Sequence, residues 1–207
     1  MTQDRRVKRT KGALEKAFLE LIQEMDYQDI TILAICGKAD YTRGAFYSHF
    51  TSKEDLILQI IEHRVETLRK ALKDPYLVNR QLEVDMFHPS ALMLLDHIYS
   101  NLDFYRLMKH PDFKLILQDK IAKMFIHHFL FDLIFEYVGS MQTIEKEIKA
   151  YHLAYATLGV IHYWIDQEFR YSSHYMAEEL MRITTTPMFR AHYTAHEFPG
   201  GSSFSGT

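Results

Sequence analysis

Residues 31–56 read TILAICGKADYTRGAFYSHFTSKEDL, and their pattern is that of two short helices joined by a tight turn. Thr31 stands where an N-cap belongs, ahead of Ile32, Ile35 and Ala39 on one face. Asp40 and Tyr41 make the turn, because aspartate takes the left-handed conformation at less cost than most residues. The second helix is expected over Thr42 to His49, with Phe46 and Phe50 spaced i, i+4 as its buried side. The pair has the dimensions of a helix-turn-helix whose second helix enters a major groove. Its side chains suit that use. Arg43 can fork onto guanine or phosphate, Thr42 and Tyr47 can donate to phosphate, and Gly44 and Ala45 allow close approach. Periodicity alone favours an ordinary helical pair with a solvated polar face.

The flanking sequence is helical on both sides. From Thr10 to Met25 the apolar positions Leu14, Ala17, Phe18, Leu21, Ile22 and Met25 form an amphipathic stripe. After the pair, either Thr51 with Glu54 or Ser52 with Asp55 makes a capping box. A fourth helix follows from Ser52 to Leu72, with Ile57, Ile60, Ile61, Val65, Leu68 and Leu72 on one face and Pro75 just beyond its end. Further helices are expected over 89–101, 103–109, 112–138, 143–168 and 173–185, with no strand alternation. The stretch HEFPGGSSFSGT from His196 reads as a flexible tail.

Composition narrows the function classes. The 207 residues are 47% hydrophobic and 25% charged, which is globular composition and argues against disorder. The single cysteine, Cys36, permits no internal disulfide or cysteine-rich zinc site and fits a reducing cytoplasm. Its small-residue position in a short helix favours a packed, unreactive thiol over a redox sensor. No signal-peptide pattern and no apolar run of membrane-spanning length is found, so a soluble, cytoplasmic protein is expected. The net charge is −3, yet residues 1–53 hold nine Lys or Arg against seven Asp or Glu, while the remainder holds fifteen against twenty. Arg5, Arg6, Lys8, Arg9 and Lys11 crowd the positive end, as either a solvated terminus or a phosphate-binding cluster. No P-loop, GxGxxG, nucleophile elbow or paired catalytic carboxylate is present, so neither enzyme activity nor a cofactor is expected. His192 and His196 have i, i+4 spacing, and His127 and His128 should diverge on a helix; neither pair makes a convincing metal site.

The stretch from Thr31 to Leu56 closely resembles the TetR family signature. Thr31, Ile35, Ala39, Gly44, Tyr47, His49, Phe50, Ser52, Lys53 and Leu56 all fall in register with it. Cys36 replaces the usual Ala, Asp40 the turn Gly, Tyr41 the Val, Thr42 the Ser and Ala45 the Thr. Ala45 thereby loses a hydroxyl and offers a methyl to thymine instead. The resemblance implies an all-α dimer that binds double-stranded DNA at the two half-sites of a palindromic operator. By analogy Thr31, Tyr47, His49 and Lys53 contact phosphates, Arg43, Gly44 and Ala45 lie nearest base edges, and an arm from Arg5 to Lys11 adds backbone or minor-groove contacts.

Residues 75–189 hold 19 of the 28 aromatic residues and eight of the ten methionines, which suits an adaptable pocket or a plain core. The family resemblance implies a pocket for a small-molecule inducer, whose contact residues stay unassigned. The stretches from Asp96 and from Tyr155 also resemble the C-terminal region of a subgroup that includes dihydroxyacetone kinase regulators. Ala150, Ala154, Ala156 and Gly159 permit close helix approach, and the family pairs its last two long helices, here about 143–185, in the dimer. Trp164 either packs at that bundle or walls a pocket, and packing is favoured. The expected division is a helix-turn-helix DNA-binding domain with its connecting helix over 1–72, a larger helical ligand-binding and dimerisation domain over 73–189, and a tail over 190–207. The expected function is a dimeric repressor released from its operator by a ligand; the alternative is a coactivator that responds to a partner protein.

Overall fold

The computed structural model describes residues 2–78, 87–132 and 143–185. No strand occurs among the described residues. Helix α1 spans Thr2–Glu24, and a 3-10 turn at Tyr27–Asp29 leads to α2, Ile32–Ala39, and α3, Arg43–Tyr47. Helix α4, Lys53–Val78, leads away from this module. Then come α5, Phe87–Tyr99, and α6, Leu102–Tyr105, with a 3-10 turn at Arg106–Lys109. Helix α7, Pro111–His127, runs into a π turn at His128–Asp132, and α8, Thr143–Asp166, and α9, Ser173–Thr185, complete the described chain.

Local chemistry accounts for the small module. Thr31 caps α2 and Thr42 caps α3, each accepting the backbone N–H three residues on at 3.1 Å. Asp40 ends α2 in the left-handed region, φ 58° and ψ 45°. The Tyr41 N–H reaches the Cys36 carbonyl at 2.9 Å and the Asp40 N–H reaches Gly37 at 3.3 Å, the two bonds of a Schellman ending. Helix α3 is shorter than expected, because the Ser48 hydroxyl donates to the Ala45 carbonyl at 2.7 Å as the chain turns. Of the two capping pairs, Ser52 with Asp55 engages: Ser52 Oγ accepts from the Asp55 N–H, while the Asp55 carboxylate reaches one residue beyond the cap, to the Thr51 N–H at 2.7 Å.

Other helix limits also differ from expectation. Helix α1 begins at Thr2, so Arg5 to Lys11 form its opening turns and not an extended arm. Arg and Lys are good helix formers, and the Thr10 hydroxyl ties the segment by donating to the Arg6 carbonyl at 3.1 Å. Helix α4 runs through Pro75 to Val78. Leu68 and Leu72, at the end of the expected stripe, are buried, and the Ser90 hydroxyl of α5 donates to the Leu72 carbonyl at 3.3 Å; the backbone stays helical beyond them. Helix α7 gives way to the π turn at His128, and residues 133–138 of the expected helix lie outside the described residues. The tail over 190–207 also lies outside them.

One continuous core joins the module to the larger helical region, from Leu14 and Phe18 through Leu68 and Leu95 to Trp164 and Leu180. Helix α5 packs between α4 and α9, and α7 packs on α8. Trp164 is wholly buried: its indole N–H donates to the Tyr171 carbonyl at 3.0 Å, and its ring stacks on Tyr99 at 6.0 Å. Glu168 and Phe169 both take positive φ, 51° and 55°, at the end of α8. Phe169 is held there by an edge contact with Trp164 and by the Arg106 guanidinium over its ring. The small residues of α8 do not share one face. Ala150 and Ala154 point into the core, whereas Ala156 and Gly159 are exposed.

Candidate nucleic-acid interface

The N-terminal turn of α3 presents the polar face. Thr31 and Thr42 are exposed; each uses an oxygen lone pair in its cap and keeps its hydroxyl proton for an outside acceptor. Arg43 is exposed, with its guanidinium 6.0 Å from the ring centre of Tyr47, itself half exposed. Gly44 is exposed as well. A Cβ there would meet only Thr42 Oγ1, at an ordinary 3.7 Å, so the fold does not require glycine at this place. Ala45 and His49 are half-buried, and His49 lies edge-on to Phe50 at 6.4 Å. Behind them Phe46 and Phe50 are buried, their ring centres 5.5 Å apart, as their spacing predicts.

The basic side chains divide into two sets. Arg5, Arg6, Lys8 and Arg9 are exposed on the opening turns of α1. Lys11 is drawn inward, where it donates to Gln59 Oε1 at 2.9 Å and lies over the Phe50 ring. Lys53 is also engaged: its ammonium donates to the Tyr27 carbonyl at 2.7 Å and lies 4.2 Å from that ring's centre. Tyr27 meets Phe18 of α1 and, at 4.9 Å, Phe113 of α7. Its hydroxyl donates to Glu54 at 3.2 Å, and burial, followed by the Glu54 charge, pushes its pKa up to about 12. Tyr27 thus joins the three-helix module to α4 and α7, a role that its isolated position in the sequence did not suggest. Cys36 is buried, and desolvation pushes its thiol up despite the opposing charge of Arg43.

Among the described residues no group of three or more His, Cys, Asp or Glu is arranged to hold a metal ion. His127 and His128 do not diverge as expected. The π turn brings both beside Asp132, at 3.8 and 3.3 Å. His192 and His196 lie outside the described residues. One cluster escaped the sequence reading: Arg64 of α4, His97 of α5 and Tyr105 of α6 meet in the larger region.

A three-helix module that exposes the start of its third helix, joined through a long fourth helix to a larger helical region, defines a helix-turn-helix DNA-binding regulator. The description "Bacterial regulatory proteins, tetR family" matches residues 15–60, and "Transcriptional regulator C-terminal region", from the same family, matches residues 85–186. The chain belongs to the TetR family of transcriptional regulators. It is 24% identical over 181 residues to YxbF of Bacillus subtilis (strain 168), an uncharacterized HTH-type transcriptional regulator. That match covers 85% of this chain and 45% of YxbF, so the chain spans less than half the length of this curated relative. Among solved structures, a TetR-family regulator from Syntrophomonas wolfei aligns with TM-score 0.63 and 15% identity, covering 85% of this chain and 93% of its own. The dihydroxyacetone kinase operon activator DhaS gives 0.58 and 20%, with 84% and 93% covered. A TetR regulator from Streptococcus agalactiae 2603V gives 0.52 and 23%, with 88% and 97% covered. At these identities the structural likeness speaks to the fold.

Proposed function

We propose that the protein is a cytoplasmic, homodimeric repressor that holds a palindromic operator and leaves it when a small molecule binds the larger helical region. The observation that carries this reading is the exposed start of α3, where Arg43 and Gly44 stand beside the Thr42 cap with its proton to donate. Arg43, Gly44 and Ala45 face base edges, while Thr31, Thr42, Tyr47, His49 and Lys53 meet phosphates. Lys53 does so with the donors that Tyr27 does not take. Arg5, Arg6, Lys8 and Arg9 carry positive charge to the DNA backbone as helical turns.

Dimerisation uses α8 and α9, within 143–185. Tyr151, Tyr155 and Tyr163 of α8 and Tyr175 and Ile183 of α9 are each at least 46% exposed, a concentration of apolar surface that supports a second copy covering it. The working division remains a DNA-binding module over 1–72 and a regulatory region over 73–189, with α4 as the rod between them. Ligand release requires that the effector bind better to a dimer whose recognition helices are misaligned than to the operator-bound form. No helix among the described residues is long and apolar enough to cross a membrane.

Salt-titrated fluorescence anisotropy on the duplex upstream of the protein's own gene, with a scrambled duplex as competitor, tests the reading. Specific binding that weakens steeply with salt, at two protomers or a multiple per site, is the expected result. Equal, weak binding to both duplexes would count against it.

A further inference from the structure

The larger helical region contains a polar cluster that its own side chains leave incomplete. Arg64 Nη1 donates to Asn101 Oδ1 at 2.6 Å, and Asn101 Nδ2 donates to the His97 carbonyl at 2.6 Å. His97 meets the Tyr105 ring edge-on at 6.2 Å. Among the described residues, the buried side-chain polar atoms without a partner are Arg64 Nε, His97 Nε2 and the Tyr105 hydroxyl. All three therefore fall in one place, between α4, α5 and α6. Folded proteins leave few such atoms, because each keeps the full penalty of leaving water when nothing meets it. Tyr105 is wholly buried and its hydroxyl can donate.

Charge adds a second, independent observation. No carboxylate pairs with Arg64 among the described residues; its hydrogen-bond partner is the neutral Asn101 amide. Burial first, then the charges of Arg64 and His63, push the His97 pKa down to about 4, so the ring is neutral and Nε2 can carry a proton to donate. The cluster is thus one cation with further donors around it. The neighbouring positions on the same helices, Ile60, Ile61, Leu68, Leu94 and Ile98, are buried hydrocarbon.

We propose that Arg64, His97 and Tyr105 form a binding site for the carboxylate head of a small organic acid with an apolar body. A carboxylate has two oxygens in a plane with lone pairs enough for three donors, and its single charge balances one guanidinium. A phosphate would bring more charge than the lone cation offsets, and a water would leave the cation uncompensated. Arg64 lies on the helix that leads from the DNA-facing module, so an acid drawn to it acts on the rod through which release would pass. That last step rests on the function proposed above; the site itself does not.

Calorimetric titration of the full chain with straight-chain monocarboxylates from acetate to decanoate and with benzoate tests the site. The matching primary amides and inorganic phosphate serve as controls. At least one acid is expected to bind, with its amide and phosphate about tenfold weaker or worse. Arg64→Gln and Tyr105→Phe should each weaken that acid by about tenfold. Tyr105→Phe should also raise the thermal midpoint of the free protein, because it removes an unmet buried hydroxyl. The proposal is overturned if no acid binds, if the amide binds as tightly, if both variants bind unchanged, or if Tyr105→Phe lowers the midpoint. Anisotropy on the upstream duplex keeps the two readings apart. DNA binding without acid binding would sink the site alone, and acid binding lost in the variants without DNA binding would sink the operator reading alone.

Discussion

At Gly44 the stability of the free protein and the proposed approach to DNA make opposite demands. A methyl group there meets nothing closer than 3.7 Å, and glycine costs a helix roughly 0.5–1 kcal/mol relative to alanine. Gly44→Ala should therefore leave the free protein as stable or slightly more so in urea titration, while weakening the specific duplex in anisotropy. Arg43→Ala should instead reduce the preference for the specific over the scrambled duplex by about 1–3 kcal/mol. A preference unchanged by Arg43→Ala, together with undiminished binding by Gly44→Ala, would remove α3 from the interface. The residues of this face were legible in the sequence because their chemistry is local: each cap lies three residues from the N–H it accepts. Lys53 was only half legible, since the carbonyl that holds it belongs to Tyr27, in a different element. Arg64 could have been singled out. It is four residues past Ile60 and four before Leu68, a charged residue on the apolar stripe of α4.

Between elements, the joint at Tyr27 carries the most. This one side chain touches Phe18 of α1, Phe113 of α7 and both Lys53 and Glu54 of α4. Tyr27 thereby ties α4 and α7 to the module that holds α2 and α3. The ring should matter more than the hydroxyl, whose bond to Glu54 lies in solvent. Tyr27→Phe should cost about 1 kcal/mol or less in urea unfolding, and Tyr27→Ala about 2–3 kcal/mol, the ring contacts being only partly buried. Equal costs for the two variants would show that the hydroxyl, not the aromatic packing, makes the joint. Element limits were harder to read than element identity. The start of α1 at Thr2 and the passage of α4 through Pro75 to Val78 both lie outside the stretches that the apolar periodicity marks, Leu14 to Met25 and Ile57 to Leu72.

Over the whole molecule, the buried histidines set how stability responds to pH. His97 has its pKa pushed from 6.5 down to about 4 by burial and then by Arg64 and His63. His162 is lowered by burial and Lys114 against the pull of Asp166, and His128 by burial, Lys73 and His127 against Asp132. Each of the three is neutral in the folded protein at pH values where the unfolded chain has begun to protonate. Unfolding therefore takes up protons below about pH 6.5, and stability is lost as the pH falls from there towards 4, where the His97 contribution levels off. Allowing for the solvent that still reaches its ring, His97 contributes on the order of 1–2 kcal/mol to that loss. Urea midpoints measured between pH 7 and pH 4.5 should decline, and His97→Gln should make the decline shallower while remaining folded at pH 7. A midpoint that held level or rose on acidification would mean that these rings are already charged in the fold. His97 would then stand protonated beside Arg64 with no carboxylate among the described residues to balance either, an arrangement that burial makes costly.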